Sequence, residues 1–286
     1  MDKPAGPTSH DVVIGVRRAL GIRSAGHTGT LDPFASGLMI VLVGRATRLA
    51  RFVSAQPKRY LATARLGFAT TTDDLMGEPL AQEGAGAELP DRSALSAALE
   101  SFRGTSMQRP PAFSARHVDG ERSYRLARRG VDVALPETPV TVHDITLVEA
   151  QDDRVVFRTT VSAGTYVRAI ARDLGQRLGS GAHLTALRRE AIGEIEVSRG
   201  VPLGSLTRDA AVLSPLEVVA HLPSRVLDEA AAGDVSHGRS IAAAAGAEEG
   251  RPAEGNIVAL VHDGRLAAVA EVREGRLQPV VVLESA

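Results

Sequence analysis

The sequence predicts an α+β protein with a small all-β module at its C-terminal end. Three patterns predict it. Val12, Val13, Val16 and Leu20 recur at helical spacing. Tyr60, Ala62, Ala64 and Leu66 alternate with Leu61, Thr63 and Arg65, the period of a strand with two distinct faces. Near the end, apolar runs over 256–262, 266–272 and 278–283 are joined by Asp263-Gly264 and Glu274-Gly275, dipeptides suited to two-residue hairpin turns. A chain of 286 residues and 30.0 kDa is long enough for one domain with a substantial core and a second, smaller one.

The elements follow in order. Thr8, with Asp11 three residues on, resembles a capping box for a helix over 9–20, which Gly21 ends. Gly26-His27-Thr28-Gly29-Thr30-Leu31-Asp32-Pro33 is too glycine-rich for helix or strand and is expected as a structured loop. A short buried strand is expected over 38–43, then the strand over 59–66 with Tyr60 on its less polar face. Leu95, Ala98, Leu99 and Phe102 form the stripe of a helix over 93–102. The stretch 103–129 carries seven Arg against two acids and is broken by Pro110-Pro111 and Gly120, which predicts a mobile basic insertion. Strands at about 140–148 and 155–161 lead to Gly164 and to a helix with Val167, Ile170, Ala171, Leu174 and Leu178 on its buried stripe, with Thr165 as the expected N-cap. Pro and Ser punctuate 202–223, which is expected to connect domains spanning 1–222 and 223–286.

Composition removes several function classes. There are no cysteines, so disulfides, thiol nucleophiles and Cys-based zinc sites are excluded, and no His-x-x-x-His or carboxylate cluster suggests another metal. No apolar run approaches the roughly 20 residues that span a bilayer, and the N-terminus lacks a signal-peptide pattern, so a cytoplasmic protein is expected. The net charge of -1 hides an uneven distribution. Residues 1–60 carry nine Lys/Arg against three acids, whereas 201–286 carry seven against twelve. Only Lys3 and Lys58 are lysines, and arginine suits bidentate phosphate contacts and stacking on bases, though a GC-rich genome would enrich it equally.

One run of residues is specific. Asp2-Lys3-Pro4-Ala5-Gly6-Pro7-Thr8-Ser9 is followed by Gly26-His27-Thr28-Gly29-Thr30-Leu31-Asp32-Pro33-Phe34-Ala35-Ser36-Gly37. Lys58-Arg59-Tyr60, Pro110-Pro111, Gly164-Thr165-Tyr166-Val167-Arg168 and Leu187-Arg188-Arg189 come after them in order. Together they resemble the TruB-type tRNA pseudouridine synthases over essentially the first 220 residues. The resemblance implies a mixed, largely antiparallel sheet with flanking helices and a small C-terminal PUA-like, RNA-binding β-barrel, although the acidic balance of that module argues against a broad electrostatic RNA surface. It also implies a short apolar strand before Asp2. Only Met1 stands there, so the native protein is expected to carry about five to ten further residues, one typical strand.

The chemistry implied is the conversion of uridine to pseudouridine at position 55, in the T loop of tRNA. The C1′–N1 bond breaks, the uracil turns, and C1′ joins C5, with no net redox change and hence no cofactor. By resemblance Asp32 is the catalytic carboxylate, acting on either sugar or base. Tyr60 packs on the target base and is the candidate for handling the C5 proton, and Arg168 pairs with Asp32. Read by position alone, Arg168 lies in the first turn of its helix, the unfavourable end of the dipole for a cation, which calls for a nearby anion. That carboxylate is expected to have a lowered pKa. The uridine must be flipped out to be reached. His27, Tyr166, Leu187 and Lys3 match substrate-binding positions. Arg122, Arg125, Arg128 and Arg129 lie in the insertion, about 103–135, that would close on T-loop and T-stem phosphates. His117 stands where the family usually has Lys, which leaves that contact open. Alternatives are a non-catalytic RNA-binding protein and the catalytic subunit of an RNA-guided complex. The intact Asp32, Tyr60 and Arg168 and the absence of basic tails favour a monomeric enzyme with no obligatory protein partner.

Overall fold

The computed structural model describes residues 1–80, 90–114, 116–118, 120–131, 135–243 and 253–283. They group into two compact units, one of Met1–His10, Thr30–Met39 and Ala55–Pro202, the other of Asp11–Gly29, Ile40–Ser54 and Leu203–Ala286.

The first unit is built on an eight-stranded sheet. Across it run Asp2–Lys3, Ser36–Leu38, Ala182–Ile192, Lys58–Leu66, Arg154–Val161, Thr138–Gln151 and Gly104–Gln108, and Ile195–Glu196 pairs with Ala182–Ile192. Every pairing is antiparallel except that of Ser36–Leu38 with Ala182–Ile192, so the sheet is mixed and largely antiparallel as expected. Tyr60, Ala62, Ala64 and Leu66 are buried as expected, but on the alternate positions only Arg65 is exposed, Leu61 being half-buried and Thr63 buried, so the two-faced alternation holds only in part. The helices Arg92–Glu100 and Val167–Arg177 set Leu95, Leu99, Val167, Ile170 and Leu174 into the core with Phe157, Val155 and Ile145 from the strands. Each such side chain contributes roughly 1.5–3 kcal/mol by leaving water.

The second unit holds most of the Ser9–Leu20 helix, which Gly21 ends at φ +66° with Ile22 N donating to Arg17 O. It also contains a five-stranded sheet in the order Ser224–Val226, Ile257–His262, Arg265–Arg273, Arg276–Val282, Ile241–Ala242. This curled C-terminal sheet is consistent with a PUA-like domain. Asp263, Gly264, Glu274 and Gly275 all have positive φ, so both hairpin turns form where the dipeptides placed them. No helix among the described residues is long and apolar enough to cross a membrane.

Several expectations are corrected. The strand expected over 38–43 is two strands, because Met39 N donates to Met1 O while Ile40 O accepts from Thr28 N, sending neighbouring residues to different partners. The loop expected from Gly26 begins as strand Ala25–His27, paired with Val41–Val43. Thr165 does not cap its helix. Tyr166 occupies the cap without a side-chain bond, and Gln108 instead accepts from Tyr166 N and donates to Tyr166 O. The stretch from 103 is not wholly an insertion either, since Gly104–Gln108 is a strand of the large sheet. Beyond it lie the hairpin strands His117–Val118 and Glu121–Arg122 and the helix Ser123–Arg128, with 115, 119 and 132–134 outside the described residues.

Gly37 shows how tightly the signature segment is seated. Its φ is +104°, and a Cβ there would lie 2.3 Å from Arg189 O and 2.7 Å from Arg189 N, backbone atoms that cannot swing away. Gly37→Ala is therefore expected to cost more than about 2 kcal/mol, combining backbone strain with overpacking. Urea unfolding checks this, and an unchanged midpoint would show that the strand can shift.

Candidate active site

Asp32 lies in the turn that precedes strand Ser36–Leu38, and the turn is fastened from several sides. Ala35 N donates to Asp32 O at 3.1 Å and Gly6 N to Pro33 O at 2.7 Å. The Ser9 hydroxyl donates to Leu31 O at 3.0 Å and accepts from Leu31 N at 2.9 Å. Arg189, buried in the sheet, donates from Nε to Leu38 O at 2.7 Å and from Nη1 to Thr30 O at 3.3 Å. Lys3 Nζ donates to Pro4 O, Pro33 O and Ala35 O at 2.9, 3.2 and 2.6 Å. The expected substrate contact by Lys3 is corrected by this placement, since a side chain 0% exposed with three carbonyl partners braces the loop and does not face a ligand. Burial pushes the Lys3 ammonium down to about 8, with Asp32 acting to raise it and Arg189 to lower it further.

The anion called for beside Arg168 is Asp32. Arg168 is the second residue of its helix; its Nε lies 2.9 Å from Asp32 Oδ2, and its Nη2 donates to Asp32 Oδ1 at 3.3 Å. The rest of the guanidinium is also engaged, Nη1 donating to Thr72 O and Nη2 to Phe113 O, both at 2.8 Å. Arg168 is 5% exposed and Asp32 33%, so the cation is enclosed while one face of the carboxylate is open. The expected lowering of the Asp32 pKa is corrected. The protein packed around the rest of the carboxyl makes burial the largest influence and pushes its pKa above the ordinary value. Arg168 and Lys3 pull it down, and the Asp74 charge pushes it up.

Tyr60 and Leu187 lie on adjacent strands, and both belong to the buried cluster that contains Leu31 and Ala35, the residues flanking the Asp32 turn. Tyr166 is half-buried at the start of the Arg168 helix. His27 stands in the other unit on strand Ala25–His27, opposite Val41. Arg122 is on a hairpin strand and Arg128 in the helix that follows. Arg125 and Arg129 are exposed, and Arg129 pairs with Glu121 at 2.7 Å. Among the described residues no three His, Cys, Asp or Glu side chains gather as a metal site.

Sequence reasoning missed Asp74. It is buried, its Oδ2 lies 3.4 Å from Arg168 Nη1, and its Oδ1 accepts from Thr72 Oγ1 at 2.6 Å and from Met76 N at 2.9 Å. Arg168 thus stands between two carboxylates, one open and one enclosed. The run Thr70-Thr71-Thr72-Asp73-Asp74 was the available signal, because such residues bond their own backbone in turns. Nothing local tells which distant arginine each of its two carboxylates meets. Chemically, the arrangement offers an oriented carboxylate with an accessible face, its charge held by an arginine that solvent barely reaches.

A chain of the archaeal box H/ACA sRNP Nop10–Cbf5 complex has a similar fold, with a TM-score of 0.74 and 25% identity over 99% of this chain and 85% of its own. Two curated relatives are both called tRNA pseudouridine synthase B. One, from Thermobifida fusca (strain YX), is 44% identical over 99% of this chain and 96% of its own, and one from Arthrobacter sp. (strain FB24) is 41% identical over 99% and 94%. Fold, site and likeness together define the class of protein as a pseudouridine synthase, an isomerase. Residues 17–167 match the family described as TruB family pseudouridylate synthase (N terminal domain). The chain belongs to that family.

Proposed function

We propose that the protein converts uridine 55 in the T loop of tRNA to pseudouridine, acting alone and without a cofactor, with Asp32 as the reacting carboxylate. The observation that carries this reading is the open face of Asp32 beside an enclosed Arg168. The names of the relatives supply the tRNA. A flipped uridine presents C1′ and the base to Asp32, and Tyr60 handles the proton that leaves C5 while N1 gains one, so atoms and electrons balance within the nucleotide. Arg168 holds the carboxylate charge. Tyr166 and Leu187 shape the pocket, and His27 fills space near the flipped nucleotides. Residues 1–222 carry catalysis, and 223–286 are a further RNA-binding module. The enzyme works as a monomer in the cytoplasm.

Incubating an unmodified tRNA transcript with the protein alone, then mapping carbodiimide-dependent reverse-transcription stops, tests the reading. One new stop in the T loop is expected. A stop elsewhere would overturn the T-loop assignment, and one that needs a guide RNA would favour the alternative of a catalytic subunit of an RNA-guided complex; the similar solved chain comes from an sRNP complex.

Binding should weaken as salt rises, because phosphate contacts release counterions. Removing Arg122, Arg125, Arg128 and Arg129 together is expected to flatten the slope of log K against log salt by about 2 to 3. Filter binding at several salt concentrations measures it. An unchanged slope would mean that these arginines do not touch RNA.

A further inference from the structure

Arg168 owes its orientation to two stretches without regular structure. Its carbonyl acceptors are Thr72 O, in the turn spanning 70–79, and Phe113 O, in the irregular run that follows strand Gly104–Gln108. A loop carbonyl can orient a guanidinium only as firmly as the loop itself is held. Both loops are held a second time from the same helix. Arg172, four residues after Arg168 and hence on the same face, places Nη1 3.0 Å from Asp73 Oδ2 and donates from Nη2 to Arg109 O at 3.0 Å. Its Nε bonds to Asp173 Oδ1 at 2.8 Å, which fixes the plane of the fork. Asp73 adjoins Thr72, and Arg109 lies four residues before Phe113, so each loop is tied both to Arg168 and to Arg172, the 70–79 turn meeting Arg168 through Asp74 as well as Thr72 O. The Arg172 and Asp73 side chains are only 18% and 11% exposed, where solvent and salt screen weakly. Asp73 also has φ +58°, uncommon for a residue with a side chain, and its carbonyl accepts from Leu184 N at 3.0 Å, tying the turn to the sheet.

We propose that Arg172 is a positioning residue for the isomerisation, pinning the 70–79 turn and the 109–113 segment to the helix so that Arg168 stays registered against Asp32. The proposal rests on the reading of Asp32 as the reacting carboxylate. Arg172 touches no reacting atom; it acts through Arg168. Lysine cannot replace it fully, because a single ammonium lacks the planar fork that reaches three acceptors at once.

A merely structural arginine would lower the melting temperature and leave the chemistry alone, so the test reads the chemistry. Asp32 is faced by Arg168 from the helix, Asp74 from the turn and Lys3 from the first strand, and Arg172 by Asp73 and Asp173. Single-turnover rates and transcript affinities are measured across pH for the full-length protein, Asp32→Asn, Arg172→Ala, Arg172→Lys and the Arg172→Ala/Asp73→Asn pair. Arg172→Ala is expected to slow the single-turnover step about tenfold or more, because small misplacements of reacting groups are costly. Affinity should stay within about twofold, and the acid limb of the profile should move to higher pH as Arg168 loosens from Asp32. Arg172→Lys should recover part of the rate, and Asp73→Asn should add little to Arg172→Ala, since both cut the same bond. A folded Arg172→Ala protein with wild-type rate and acid limb, or a loss confined to affinity, overturns the proposal. If that variant does not fold, Arg172→Lys is judged by the same two readouts. Product from Asp32→Asn would instead sink the reading of Asp32, whereas an inactive Asp32→Asn beside an unaffected Arg172→Ala sinks only the positioning role.

Discussion

Asp32→Asn is expected to yield no detectable pseudouridine while binding tRNA within a few fold of the wild-type protein. The amide keeps the size and shape of the carboxyl and can still accept a hydrogen bond from Arg168, which lies within 2.9 Å of Asp32 in the native site. What it loses is the charged oxygen that the proposed mechanism needs to act on the sugar or the base. The turn is held independently, by Lys3 on Pro33 O and Ala35 O and by Ser9 on Leu31, so the substitution should not disturb the loop. Nucleoside analysis of the treated transcript, with filter binding in parallel, separates the two effects. Appreciable turnover by the pure variant would falsify the catalytic assignment.

Arg168→Ala should carry the next largest effect, and it should act on stability as well as rate. Its removal leaves Asp74 enclosed and Asp32 partly enclosed with no guanidinium between them. Breaking one side of a buried pair costs about 3 kcal/mol or more, here toward the lower figure because Asp32 is one-third open. The pH dependence follows from signs. If Asp32 reacts in its ionised form, as proposed, activity falls as pH drops through its pKa, and burial places that limb above the ordinary carboxylate value of 3.8. Arg168 is a cause that lowers the pKa, so its removal moves the limb to still higher pH. Arg168→Lys should restore part of the rate, since one ammonium cannot bond Asp32, Thr72 O and Phe113 O in the same plane. Near-normal rates in the alanine variant, or an acid limb that moves down, would reduce Arg168 to a structural ion pair.

Some of this was legible without coordinates, and the reason is locality. The helix over 9–20, the strand around Tyr60 and the two C-terminal hairpins depend on periodicity and turn residues within a few positions of one another, and they formed where those patterns placed them. The placement of Arg168 in a first helical turn called for an anion, a local electrostatic argument that the Asp32 contact satisfies. The signature segment around Asp32 singled out the open carboxylate before any distance was known.

The rest belonged to the tertiary structure, because it depends on residues far apart in the chain. Which neighbour each backbone group of 38–43 would bond, and so that the run splits in two, is a matter of partner segments that no local pattern names. Tyr166 takes the cap expected of Thr165, and the Gln108 side chain that bonds its backbone lies 58 positions away in sequence. Lys3 turned from a ligand contact into a buried brace because three carbonyls close around it, and the Asp32 pKa rose because burial outweighs its arginine. Asp74 and Arg172 stayed hidden for the same reason. By itself the sequence determined the family and those elements whose pattern is local, and it named Asp32 and Arg168 as partners, which the ion pair between them matches; only the folded chain decided what holds that arginine in place, since a guanidinium with five donors is oriented by whichever distant acceptors the fold brings within reach.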